Sequence, residues 1–303
     1  MRALVVGESG FIGSVVSRRL FQNGIEPIGF DLIHNDSSDH EWSSVHGNIL
    51  DKGTLERTLY DCSVDAIIHL VGLPVVDQCQ HDPALSFALN VQSVQNTLEA
   101  MRVADVARIV FASSATIYGD HDHEAKKESD LPHPTTVYGW HKHIAEEAIK
   151  SYSETYGIKS VVLRLFNVYG GDPNHGKEVV SIFINRARKQ EPLTVRGPQK
   201  FRDFVHVEDV ADAFVKALQR TNDGNVTVNI GTGTRTTLKQ LATMIQSLFP
   251  HSEITVEAAA DDGTGLWANV SVAEERLGFA PRKPSVGILA HVQIYADQVG
   301  ISP

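Results

Sequence analysis

Cysteine is almost missing from this chain: Cys62 and Cys79 are the only two in 303 residues. Two cannot build a disulfide framework, and their spacing matches no metal motif. A reduced, cytoplasmic setting is the simplest expectation. Long apolar runs are missing too. Ala3 to Val6 is stopped by Gly7, far short of a membrane span or a secretory leader, so neither is expected. Positive charge is in deficit, with 27 Lys and Arg against 37 Asp and Glu and a net charge of −10. A nucleic-acid partner is therefore not expected. Low-complexity tracts and internal repeats are absent as well. One stretch runs against the acidic balance: Arg186, Arg188, Lys189, Arg196, Lys200 and Arg202 stand against the single acid Glu191. Charge patterning alone leaves two readings open, a solvated helix face with its loop or a local anion site for a phosphorylated small molecule.

What the chain does have is rhythm. Apolar runs at Ala3–Val6, Pro27–Asp31, Ala66–Leu70, Arg108–Ala112 and Ser160–Leu165 alternate with helical patterns at about 12–23, 53–60, 83–104 and 138–156. Such alternation predicts a parallel, doubly wound α/β sheet of the Rossmann type, and uniformly apolar strands predict burial on both faces. Beyond about residue 170 the rhythm loosens. Helices are expected near 177–190 and 237–248, strands at 193–195, Val226–Ile230 and 253–257, and a strand–helix unit over 203–220. The expected division is a dinucleotide-binding part, 1–167 plus about 203–232, and a smaller C-terminal α/β substrate-binding part, about 168–202 plus 233–303. The site belongs in the crevice between them.

The first strand ends in Gly7-Glu8-Ser9-Gly10-Phe11-Ile12-Gly13. Gly7 permits a tight turn, Gly10 lets the backbone approach a pyrophosphate, and Gly13 lets the next helix pack close. Placed between a strand and a helix, the glycine pattern points to a dinucleotide site. The second strand ends in Asp31, eighteen residues after Gly13. A carboxylate there accepts from both ribose hydroxyls and repels a 2′-phosphate, which favours NAD over NADP.

Tyr138 and Lys142 are four apart on an expected helix and so share a face. A tyrosine hydroxyl, with an ordinary pKa of about 10, is a poor base. A neighbouring ammonium and a positive nicotinamide ring would favour the phenolate needed to take a proton from a sugar hydroxyl. The strand at 108–112 leads into Ser113-Ser114-Ala115-Thr116-Ile117-Tyr118-Gly119, which places a hydroxyl at a strand's carboxyl end.

Together, Gly7-x-x-Gly10-x-x-Gly13, Asp31, the Ser-Ser-Ala-Thr-Ile-Tyr-Gly stretch, Tyr138-x-x-x-Lys142 and Arg164-Leu165-Phe166-Asn167-Val168-Tyr169-Gly170 resemble the NAD-dependent epimerase/dehydratase family of extended short-chain dehydrogenases/reductases. So do Arg202-Asp203-Phe204-Val205-His206-Val207-Glu208-Asp209-Val210, Asn229-Ile230-Gly231-Thr232-Gly233 and Leu277-Gly278-Phe279-Ala280-Pro281. The resemblance spans essentially the whole chain and is nearest to the nucleotide-sugar epimerases. It implies a catalytic set of Ser114, Tyr138 and Lys142. It implies dinucleotide contacts from Phe11, Ile12, Asp31, Leu32, Asn48, Ile49, Leu70, Val71, Gly72, Leu73, Asn90, Ser113 and Phe166, besides the glycines and the catalytic pair. Substrate contacts would come from Ser114, Thr116, Asn167 and Arg202. The chain departs from the family pattern at Val6 and Glu8, where threonine and glycine are usual, at Asn48 for aspartate, and at His141 for serine. Ala258-Ala259-Ala260-Asp261-Asp262-Gly263 lacks the arginine that in relatives grips the nucleotide, a role that Arg196, Lys200 or Arg235 would have to fill.

The dehydratases of this family carry an Asp-Glu pair where this chain has Ala115-Thr116, so the resemblance implies an epimerase that removes a hydride to NAD and returns it through a ketone. A sugar dehydrogenase or reductase, a dehydratase and a non-catalytic NAD-responsive protein remain as alternatives. A metal enzyme is a further one, because His121, Asp122, His123, His133, His141 and His143 cluster, but no ligand spacing supports it and no metal is expected. A homodimer is expected from apolar residues beyond one buried face on the helices at 83–104 and 138–156, namely Val91, Val94, Leu98, Ile144, Ala148 and Ile149.

Overall fold

A computed structural model describes residues 1–33, 41–119, 124–172, 176, 178–220 and 224–298. In chain order the strands are β1 (Arg2–Val6), β2 (Glu26–Asp31), β3 (Ser44–His46), β4 (Ala66–His69), β5 (Arg108–Ser114), β6 (Lys159–Leu165), β7 (Asn167–Tyr169), β8 (Leu193–Arg196), β9 (Phe201–Arg202), β10 (Phe204–His206), β11 (Val226–Ile230), β12 (Thr236–Thr237), β13 (Ile254–Glu257) and β14 (Gly265–Leu266). The helices are α1 (Phe11–Gln22), α2 (Lys52–Asp61), α3 (Val76–His81), α4 (Pro83–Phe87), α5 (Ser93–Ala104), α6 (Val137–Tyr156), α7 (Val179–Arg188), α8 (Val207–Arg220), α9 (Leu238–Leu248) and α10 (Pro284–Gln298).

Seven strands form one sheet in the order β11-β6-β5-β4-β1-β2-β3, every pair parallel. Alternation along β1 shows why the strands carry no polar face. Ala3 and Val5 join the core packed by Val16, Leu20 and Phe214, while Leu4 and Val6 join the opposite core with Leu55, Leu98 and Ile149. A third cluster, Val180, Phe183, Ile184, Leu193, Val195, Leu241, Ile245, Ile288 and Val292, gathers α7, β8, α9 and α10 away from that sheet. The strand order reverses between β1 and β4, and crevices beyond strand ends at such a point are where open α/β sheets bind ligands.

The helix expected over 83–104 is present with an interruption: Ala88–Gln92 forms a π-helical turn between α4 and α5. Four of the six residues read as apolar surplus for a partner subunit are instead buried within the chain: Val91, Val94, Leu98 and Ile149. Ala148 packs partly against the same core, and Ile144 alone is exposed. The apolar side chains left in solvent on α4 and α6 include Leu85, Phe87 and Trp140. Among the described residues no helix is long and apolar enough to cross a membrane.

Candidate active site

The glycine turn closes as its spacing demands. Gly7 adopts φ +91° and donates its N–H to Phe30 O at 2.9 Å. A Cβ on Gly13 would stand 2.0 Å from Gly7 O, and one on Gly72 would stand 2.6 Å from Asn90 Oδ1. No side chain caps α1 at Gly10 and its first turn holds no acid, so its leading amides are left to an anion. Asp31 sits at the tip of β2, where Oδ2 accepts from Ser9 N–H at 3.0 Å and Oδ1 accepts from Ile33 N–H at 3.1 Å. Each oxygen keeps acceptor capacity for a ribose hydroxyl. Leu32 and Phe11 are exposed beside this turn, with Phe11 close to Gly171. Glu8, foreign to the family pattern, is folded inward at 2 % exposure and accepts from Trp42 Nε1 at 3.3 Å.

On the facing side, Asn90 is fully buried on the π turn, a device often found at functional sites. Its Oδ1 accepts from Leu73 N–H at 3.1 Å and its Nδ2 donates to Ser86 Oγ at 3.2 Å, which fixes the segment after β4 that carries Leu70, Val71 and Gly72. Ile49 packs in the core, and Asn48 turns its side-chain oxygen to Leu50 N–H at 2.9 Å.

Ser114 ends β5, and Tyr138 and Lys142 lie on the buried face of α6, which opens at the Thr136 cap. Lys142 Nζ donates to Ala112 O at 2.9 Å and stands 5.9 Å from the centre of the Tyr138 ring. Burial pulls its ammonium down to about 8, against the pull of Glu146 one turn on. Burial pushes the Tyr138 phenol up to about 12, while a hydrogen bond with Ser114 works in the opposite direction.

Ser113, read as a cofactor contact, turns its hydroxyl inward to donate to Glu146. Glu146 in turn accepts from Arg164 Nε at 3.1 Å and Nη2 at 2.8 Å, and Arg164 Nη1 donates to the Tyr118 hydroxyl at 2.8 Å. That hydroxyl donates to Asn229 Oδ1 at 2.8 Å. This buried chain ties β5, α6, β6 and β11 together beneath the carboxyl end of β5. Sequence reading singled out Arg164 and Asn229 only as family motifs. Glu146 was not foreseen.

A cavity of about 260 Å³ opens over Ser114, lined by Val76, Thr116, Thr135, Phe166, Asn167 and Arg202 among others. Thr135, Thr136, Val76 and Leu266 were not foreseen, since nothing in their local sequence marks them. Arg202 faces this cavity because its neighbour Asp203 is anchored inside, accepting from the N–H groups of Thr232, Gly233 and Ala268. Burial raises the Asp203 carboxyl, against these hydrogen bonds. Arg196, Lys200 and Arg235 are not among the residues that line this cavity. Arg196 pairs with Glu257 at 2.6 Å, Lys200 pairs with Asp261 at 2.6 Å, and Arg235 lies over Phe201 and Trp267.

His121, Asp122 and His123 lie outside the described residues. Among the described ones no group of three or more His, Cys, Asp or Glu side chains converges. His141 Nδ1 hydrogen-bonds Ser86 Oγ at 2.8 Å, and His133 is exposed.

Comparison with known proteins agrees with this geometry. The chain is 32% identical over 301 residues to the UDP-glucose 4-epimerase of Rhizobium meliloti (strain 1021), covering 92% of each. The crystal structure of UDP-glucose 4-epimerase from Brucella ovis in complex with NAD superposes with a TM-score of 0.90 at 28% identity, covering 99% of each chain. That of UDP-glucose 4-epimerase from Thermotoga maritima with UDP-glucose superposes with a TM-score of 0.89 at 28% identity, covering 99% of this chain and 100% of that one. The model of the NAD dependent epimerase/dehydratase family matches residues 3–231, and the chain belongs to that family.

Proposed function

We propose that this chain epimerises a nucleotide sugar at a hydroxyl-bearing carbon, by hydride removal and return through a keto intermediate. The observation that carries the reading is the lining of the cavity over Ser114: hydroxyls, an amide and one guanidinium among apolar side chains, with no carboxylate. Expelling water from the sugar needs an acid that this lining does not supply, so dehydration is disfavoured. NAD is the cofactor, and the glycine turn, the uncapped start of α1 and Asp31 fit it. When bound, it would supply the hydride acceptor and a positive charge that favours the Tyr138 phenolate. Tyr138 takes the proton of the substrate hydroxyl, and Ser114 holds the oxygen that becomes the ketone. Lys142 fixes the ribose side of the site and adds positive charge. Asn167 and Arg202 hold the nucleotide phosphates.

The two-part division, 1–167 with about 203–232 and about 168–202 with 233–303, belongs to the same proposal and is supported by the separate apolar cluster around α7, α9 and α10. So does a homodimer, now supported by exposed Leu85, Phe87, Trp140 and Ile144 in place of the residues that proved buried. A reduced cytoplasmic setting fits the free thiols of Cys62 and Cys79.

The test is incubation with UDP-glucose, the sugar nucleotide of the Thermotoga structure, without added NAD. An isomer of unchanged mass by NMR with no build-up of reduced nicotinamide is expected. Stoichiometric NADH, formed only when NAD is supplied, would move the assignment to a dehydrogenase, and loss of water would move it to a dehydratase.

A further inference from the structure

A larger cavity, about 710 Å³, lies on the smaller part of the molecule, away from Tyr138. It is bounded by the 234–237 turn, one face of α9 and the start of α10. Its lining brings together Arg235, Lys239 and Lys283, with no acid, on a chain whose net charge is −10. Neighbouring bases are neutralised: Lys200 by Asp261, Arg196 by Glu257 and Arg282 by Asp209. The three that line the cavity have no ion pair among the described residues. Arg235 is held with its guanidinium carbon 3.9 Å from the centre of the Phe201 ring and 4.9 Å from that of Trp267. Stacking of this kind fixes the position of the cation and leaves its charge uncancelled. Met244 and Pro284 give the same cavity an apolar wall, and Thr234, Thr237, Thr243 and Ser285 add hydroxyls.

We propose that this cavity binds a second, phosphate-bearing small molecule with a ring or other apolar body, a nucleotide in size. Its phosphate sits among Arg235, Lys239 and Lys283, and its body rests on Met244 and Pro284. Apolar walls with a few converging polar groups are the usual construction of such sites, and the volume is within their range. The site is distinct from the substrate cavity but joined to it by one short ladder. Thr236 of β12 pairs with Arg202 of β9, so the turn that carries Arg235 is hydrogen-bonded to the strand that carries the substrate-facing arginine.

The experiment is calorimetric titration of the full chain with UMP at about 0.15 M salt, on wild type, Arg202→Gln and Lys239→Gln/Lys283→Gln. Both lysines are exposed, so the double variant keeps its fold, checked by unchanged melting and NAD binding. Expected is a UMP equivalent that survives Arg202→Gln and weakens about tenfold or more in the double variant, a loss of about 1.4 kcal/mol. Binding unchanged in the double variant overturns the proposal. So does the absence of any equivalent that survives Arg202→Gln, or a signal that sulfate reproduces equally well, which would show an adventitious ion only. None of these outcomes depends on whether UDP-glucose is turned over.

Discussion

Thr116 directs its hydroxyl at Ser114: Oγ1 donates to Ser114 Oγ at 3.0 Å, and the Thr116 N–H donates to the same oxygen at 3.2 Å. An oxygen that accepts twice has its own hydrogen left to give. The hydrogen bond that works against the raised pKa of Tyr138 comes from that hydroxyl. The chain Thr116 to Ser114 to Tyr138 therefore runs in one direction, toward the phenol oxygen, and favours phenolate. Thr116→Val keeps the shape and removes one donor. The expected result is a fall in kcat of about tenfold, in line with about 1.5 kcal/mol for a hydrogen bond that supports a charge. The acid limb of the pH–rate profile moves to higher pH, and Thr116→Ser restores both. A profile that does not move, with activity merely lowered, would leave Thr116 as a substrate contact only.

Tyr138→Phe removes the base and keeps the ring, so turnover should vanish while NAD binding persists. Lys142→Met should lower both. The ammonium is pulled down to about 8 by burial, so it is present below that pH and lost above it. NAD affinity of the wild type should fall as pH rises through about 8, and Lys142→Met should show no such dependence. A wild-type affinity flat across this range would remove Lys142 from cofactor binding.

Much of this site could be read in the sequence because its parts are local. A glycine turn, an acid at a strand tip and a Tyr-x-x-x-Lys pair each depend on spacing within one element. Glu146 could not be read that way, because its role exists only where α6 meets β5 and β6, and Thr135 and Leu266 count only where the 130–136 segment and β14 line the cavity over Ser114. The same limit explains the misread dimer face. Val94 and Leu98 carry the right period for a partner helix, and that period equally serves the chain's own core. β3 escaped notice because three residues among polar neighbours give no pattern. α10 did carry Ile288, Val292 and Ala296 at a spacing of four, diluted by exposed Val286 and Ile294.

We propose that Asp31 sets the preference for NAD over NADP. Its two oxygens already hold Ser9 N–H and Ile33 N–H, so the carboxylate is fixed at the strand tip, where it would repel a 2′-phosphate. Asp31→Ala should weaken NAD about tenfold and narrow the preference over NADP, measured by titrating both. Tighter NADP binding by the wild type would contradict the assignment.

The last prediction concerns acid. His69 is fully buried on β4, between hydroxyls of Ser93 and Thr97, and burial pulls its imidazole down to about 3. Burial, with Arg282 nearby, pulls His206 down to about 4, and burial lowers His291 as well. All three are neutral in the fold and take up a proton near their ordinary pKa of about 6.5 when the chain unfolds. Below that pH the unfolded state binds more protons than the native one, so stability drops as pH falls. The stabilisation is complete above about 6.5 and is eroded progressively toward 4 and then 3. For His69 the slope is about 1.4 kcal/mol per pH unit. Urea unfolding of wild type and His69→Gln from about pH 7 to about pH 4.5 measures it. The variant starts less stable at neutral pH, because it leaves a packed ring position imperfectly filled, and its stability should decline less steeply. Parallel slopes for the two proteins would mean that the imidazole is already protonated in the fold or never exposed on unfolding, and the argument from burial would fail.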